Sequence, residues 1–439
     1  MKRRLIAATL ISLFSLGGCA RPSIEAALRD VAAATPETID QKLKALEEKA
    51  GAGLSLRDAD LLLEASKKEY AKRKYDFQNT QVDILRCLRG YANPDIVGGL
   101  EDRSQGAAGD INAELVFILS QIDAPDAVHA VFSILKNAGD RRPASLTVPG
   151  WEKDKIQARA VFPGLLGFLD VPQYRFQIAL LTLFYLEDRK ITQDDIKEYL
   201  PGITAEAQAA AVRLSAVKPE GTRKTRWYRD DYLEPRNELS VFLDLFGYLD
   251  TRDTEDLLNE FLRSADPRLS FFSLASLIRR GQAVDQPVID AVARDDEMRK
   301  WLFTFLKEKN LLDRMDERYR TQEELAASDL VNWLIYPTEL GTAPDRIELL
   351  KKVTVDTQSA DGTIEYFIFK FRTLAPHWAA KDRWMVGVSG PFKVTEYPSV
   401  DAYGETFSAF EKLDDRPPEA YLNRVRDLID GASQERAGR

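Results

Sequence analysis

The sequence predicts a mainly α protein: an α-solenoid of helical hairpins followed by a small C-terminal α+β domain with an antiparallel sheet. Three observations predict it. An apolar residue three positions before a leucine recurs at Leu85/Leu88, Val116/Leu119, Leu180/Leu183, Ala211/Leu214, Phe242/Leu245 and Leu274/Leu277. These leucines stand 31, 64, 31, 31 and 32 residues apart, one interval being a double step, and such self-similarity marks stacked supersecondary units. A second apolar stripe follows most of them, as in Val128-Val131-Phe132-Leu135 and Leu257-Leu258-Phe261-Leu262. Steps of three and four put each stripe on one helix face. Near the C-terminus the period changes to two on either side of Asp361-Gly362, a strong hairpin signal.

The chain opens with Met1-Lys2-Arg3-Arg4 and an apolar run from Leu5 to Leu16. That run is too short to span a bilayer and has the proportions of a secretory signal. It ends in Leu16-Gly17-Gly18-Cys19, which resembles the bacterial lipobox, although the family pattern more often has Ala, Ser or Thr at the position of Gly17. The resemblance implies cleavage after residue 18 and lipidation of Cys19. With Ala20 rather than Asp next, it also implies anchoring in the outer membrane facing the periplasm. An ordinary secretory signal or an uncleaved anchor is the alternative.

Residues 19–78 read as an N-terminal helical cap, with short amphipathic patterns at Ser23–Ala33 and Glu37–Lys49 and a long charged helix beginning near Leu56. Residues 79–335 read as the repeat array, punctuated by Asn93-Pro94, Ala124-Pro125 and Asp266-Pro267, since proline suits a first helical turn. The run Asp266-Pro267-Arg268-Leu269-Ser270-Phe271-Phe272-Ser273-Leu274-Ala275-Ser276-Leu277 resembles the short bacterial HEAT repeat, and Glu206–Leu214 has a similar cadence. The resemblance covers roughly residues 80–310 and implies stacked antiparallel hairpins offering a surface to a partner. An irregular helical bundle is the competing architecture.

Two segments interrupt the array, 138–153 and 218–237, and long loops in a satisfied scaffold are disproportionately functional. In the second, Arg223, Lys224, Arg226 and Arg229 surround Trp227 and Tyr228, a composition suited to a protein partner, a glycan or an anion. The bland reading pairs these cations with Asp230, Asp231 and Glu234. In residues 336–439, Asp345–Leu350 reads as a helical turn, and Lys352–Asp356, Ile364–Arg372 and Trp384–Val388 read as strands, the last ended by Gly390-Pro391. A helix over Pro418–Ile429 finishes the chain. In the middle strand Phe367, Phe369 and Phe371 face one way, Tyr366, Ile368 and Lys370 the other.

A net charge of -9 disfavours nucleic-acid binding, which needs a basic surface. With Cys19 lipidated, Cys87 has no disulfide partner and reads as a buried hydrophobe. Two histidines and two cysteines supply no zinc cluster, so no metal, cofactor or catalytic residue is assigned. His129 reads as a helix-flank residue, and His377, Trp378 and Trp384 as a low-grade pocket. The reading is a lipid-anchored cell-envelope scaffold that binds a protein partner and is not an enzyme. The alternative is an enzyme or a glycan- or anion-binding protein using the sheet or the 218–237 segment.

Overall fold

The computed structural model describes residues 23–75, 77–151, 160–162, 164–217, 225–336, 339–356, 362–373, 384–395, 398 and 409–423. Cys19, Arg223, Lys224, His377, Trp378 and the side chain of Arg226 lie outside the described residues. The protein is mainly helical, with a four-stranded antiparallel sheet near its C-terminus, the fold class predicted from sequence. Two compact units divide it, Met1–Ala160 and Val161–Arg439. No helix among the described residues is long and apolar enough to cross a membrane.

Among the described residues of the first unit seven helices form two rows. They are α1 (Ile24–Ala32), α2 (Ile39–Ala50), α3 (Leu56–Ala65), α4 (Thr80–Arg86), α5 (Val97–Ser104), α6 (Gly109–Leu119) and α7 (Pro125–Asn137). Helices α1, α3, α5 and α7 pack in succession, and α2, α4 and α6 line up behind them. Hairpin stacking therefore starts at α1, so residues 24–65 belong to the rows rather than to a separate cap. Local signals set the starts: Ser55 and Asp58 make a reciprocal capping box at α3, and Pro125 opens α7. Helix α3 stops at Ala65, shorter than the sequence suggested. The described part of the first insertion is packed in place. Trp151 is fully buried, its ring 5.8 Å from Phe132. A Cβ on Gly150 would lie 1.9 Å from the Ser120 carbonyl oxygen, so only glycine fits there.

The second unit contains α8 (Pro172–Glu187), α9 (Leu200–Ala216), α10 (Asp230–Leu245), α11 (Arg252–Phe261), α12 (Pro267–Arg279), α13 (Gln286–Ala293), α14 (Arg299–Glu308) and α15 (Gln322–Leu334). Helices α8, α10 and α12 form one row, and α9 and α11 lie in the other. The leucine period partly misleads here. Leu183 and Leu245 lie on α8 and α10, in one row, while Leu214 lies on α9 in the other. Two steps of the period thus make a single hairpin, because α8, α9 and α10 are 16, 17 and 16 residues long. The second insertion is also shorter than expected: Asp230–Asn237 is the start of α10, Pro235 included. Two aspartates in the first turn favour that start through the helix dipole.

The sheet runs β1 (Arg346–Asp356), β2 (Thr363–Arg372), β3 (Met385–Lys393) and β4 (Ala409–Lys412), ordered as in sequence. Residues 346–350 are strand rather than the expected helical turn, because they pair with β2 along its length. Gly390-Pro391 does not end β3. A register shift opposite Glu365–Phe367 accommodates it, with Gly390 at φ +127° and no room for a Cβ beside the Glu365 carbonyl. The alternation in β2 is as predicted. Phe367, Phe369 and Phe371 pack on Ala326, Ala327, Leu330 and Leu334 of α15. The contact is close enough that a Cβ on Gly387 would sit 2.9 Å from Leu330 Cδ2. Tyr366 and Ile368 join Val386, Val388, Tyr421 and Leu422 on the opposite face. Of the expected C-terminal helix, 418–423 falls among the described residues, with 418 and 419 a turn and 420–423 helical.

Candidate functional site

Trp227 and Tyr228 lie in a single 3-10 turn (Thr225–Tyr228) that leads into α10. Both point into the unit rather than toward solvent. Trp227 is 8% exposed, its ring 5.2 Å from Tyr232. The Tyr228 hydroxyl donates to Glu297, and Arg236 lies over its ring at 5.3 Å. Arg236, on α10, is completely buried. It donates to Asp266 through Nε at 2.7 Å and Nη2 at 2.9 Å, and Nη2 also reaches Glu297 at 3.2 Å. Asp266 in turn accepts from the Tyr232 hydroxyl at 3.1 Å and caps α12 through the Arg268 backbone N–H at 3.0 Å. Burial opposes the Arg236 charge, but Glu297 and Asp266 outweigh it and hold the guanidinium well above its usual pKa. Burial, then the Glu297 charge, push the Tyr228 phenol well up, keeping it a neutral donor. Arg268, half-buried beside Arg236, is shifted down by desolvation first and by the Arg236 charge second.

Two cations thus face two carboxylates, and the set ties α10 to the start of α12 and to the residues before α14. Beside it opens a cleft of about 290 Å³ lined by Trp227, Ser264, Pro267, Ser270, Arg294 and Asp295. Arg229 forms a bidentate pair with Asp231 at 3.0 and 2.7 Å. Sequence reasoning singled out Trp227, Tyr228 and Arg229 but missed Arg236, Asp266 and Glu297. A signal existed: Arg236 is 30 residues from Asp266 and 61 from Glu297, one and two repeat steps. The same step joins Asn79 to Asp110 and Trp301 to Asn332, each 31 apart.

That last pair marks an outward-facing aromatic centre. Trp301 on α14 is 46% exposed, yet its indole N–H donates to Asn332 of α15 at 2.8 Å. The edges of Phe271 and Phe272 meet its ring at 6.3 and 6.2 Å. Asn332 is itself fixed, donating to the Glu297 and Ser328 carbonyls at 2.9 and 2.8 Å. The exposed indole is thus held by a hydrogen bond to Asn332, which is itself held by the backbone of Glu297, a member of the buried ion cluster.

On the sheet, Trp384 meets three cations: Lys370 at 4.7 Å, Arg372 at 5.4 Å and Arg346 at 5.7 Å from its ring centre. Glu348 lies among them. His129 is exposed on α7. Cys87 is half-buried, and burial, then the charges of Glu47 and Asp83, push its thiol up to about 12. Ser389 is buried, its Oγ 3.3 Å from Asp329 Oδ2. Among the described residues no group of His, Cys, Asp and Glu could hold a metal ion. No family model, curated protein or solved structure matches this chain.

Proposed function

We propose that this chain is a lipid-anchored scaffold of the cell envelope, held by Cys19 in the outer membrane on its periplasmic side, and that its helical stack docks a protein partner. The observation that carries the docking reading is Trp301. A large indole left nearly half exposed costs apolar hydration, and here the neighbouring residues fix its rotamer as well. Pre-ordered aromatic side chains of this kind anchor interfaces, because little side-chain entropy remains to be lost on binding. The lipobox-like Leu16–Cys19 segment supports the anchoring.

Crosslinking in intact cells followed by affinity purification tests the docking. The expected result is a stoichiometric envelope protein that is lost with Trp301→Ala and kept with Asn332→Ala at reduced yield. Recovery of the same partner by Trp301→Ala would refute this surface. Lipidation is tested separately by metabolic labelling with an alkyne fatty acid, in which Cys19→Ala should abolish incorporation.

A further inference from the structure

The sheet carries a charge arrangement that the docking reading does not use. Arg346 and Arg372 are directly opposed across β1 and β2, and Glu348 is opposed to Lys370 two pairs further on, on the same face. The β2–β3 register, in which Phe371 meets Met385, brings Trp384 opposite Arg372 when continued by one residue. One lateral row is therefore Arg346–Arg372–Trp384, flanked by Glu348–Lys370. Like charges directly opposite in an antiparallel pair destabilise it. Among the described residues Glu348 is the one carboxylate on this row, and it is shared by Arg346 and by Lys370 at 2.7 Å. Among the described residues three cations against one carboxylate leave a surplus of two positive charges, in a protein whose net charge is -9. The indole face relieves part of this repulsion, but one ring quadrupole does not neutralise two charges. Arg372 Nε is moreover a buried donor without a partner.

We propose that the Arg346–Arg372–Trp384 row is a binding site for a phosphoryl group, with the two guanidinium groups as forks and the indole as its apolar wall. Arginine presents paired donors that match phosphate oxygens, and a phosphomonoester carries the two negative charges that the row lacks. A carboxylate would supply one. The group is a phosphomonoester, free or on a lipid headgroup. The site stands or falls independently of the docking surface at Trp301.

The test is equilibrium dialysis of the full chain in detergent with radiolabelled inorganic phosphate, at constant ionic strength in chloride. Saturable binding is expected, weakened about tenfold or more by Arg346→Gln combined with Arg372→Gln. If the double variant does not fold, Arg346→Gln alone carries the test, because that side chain is largely exposed. Thermal unfolding supplies a second reading: phosphate should raise the midpoint of the wild type and leave that of the variant in place. Competition separates the two sources. Short-chain phosphatidic acid displacing the label much better than glycerol phosphate identifies a lipid headgroup, and equal displacement identifies a soluble ester. Absence of saturable binding, or equal binding by wild type and variant, overturns the proposal.

Discussion

Two clusters of arginine and aromatic side chains in the second unit follow opposite rules. Around Arg236 that guanidinium and both carboxylates are buried and Arg268 half-buried, two carboxylates balance two cations, and tyrosine hydroxyls donate to both carboxylates. Around Trp384 the cations are partly exposed, among the described residues one carboxylate answers three cations, and the aromatic ring has no hydroxyl to offer. The difference teaches how to read such clusters. Removing a charge from water costs several kcal/mol per ion, so a buried set must close its own account of charge and hydrogen bonds. A surface set need not, and an imbalance left there is chemistry available to something else.

Several substitutions would break or sharpen that contrast. The largest effect belongs to Asp266→Ala, which leaves Arg236 buried with Glu297 alone and uncaps α12. A loss of about 3–5 kcal/mol is expected in denaturant unfolding; a loss below about 1 kcal/mol would show that water reaches Arg236. Tyr228→Phe removes one donor to Glu297 and should cost about 1–3 kcal/mol in the same assay. It should also loosen Trp301 through the Glu297–Asn332 contact, a change visible as a red shift of the emission that Trp301→Phe abolishes.

Acid should act on the sheet at its covered face. Hydrogen bonds from the Arg416 side chain and backbone, then from Tyr421, lower the exposed Asp414 carboxyl to about 2. Because the folded value lies below the unfolded one, this contribution is present above the ordinary aspartate range and disappears as pH falls toward 2. Limited proteolysis by pepsin should accordingly reach the segment around Tyr421 sooner at pH 2.5 than at pH 4.5 in the wild type, relative to Asp414→Asn. Equal relative rates would detach Asp414 from that segment's hold on the sheet. The smallest effect is assigned to Arg372→Gln without phosphate. Relief of repulsion against Arg346 offsets its lost contact with Trp384, so stability should stay within about 0.5 kcal/mol of wild type.

Legibility in the sequence tracked how local the deciding physics is. The alternation of Tyr366–Phe371 was readable because a strand buried on both faces still segregates its residues by parity. Residues 346–350 misled because Leu349-Leu350 beside Glu348 and Lys351 suits a helix, and only pairing with β2 makes them a strand. The leucine period hid a doubled step at α8–α10, since a long helix with its connecting segment occupies about the same length of chain as a hairpin of short helices. The Arg236 cluster was missed for a different reason. Its partners recur at the repeat step, because polar side chains carry the same period as leucines when consecutive helices of one row face each other. Trp227 and Tyr228 drew attention by composition, yet burial turned their polar groups inward.

Helix α15 has neighbours of two kinds. Toward α14 it offers Ser328, Asp329 and Asn332, which meet Lys300 and Trp301. Toward the sheet it offers alanines and leucines so closely fitted that Gly387 has no space for a methyl group. A repeat array can lengthen only where an outgoing helix accepts another of its own sort, and here that place is taken by a phenylalanine-faced sheet. Duplication of a hairpin is therefore tolerable before α15 but not after it. In evolutionary terms α15 is a terminus of the second unit's helical stack, and length variation among descendants of such a chain should accumulate on its N-terminal side.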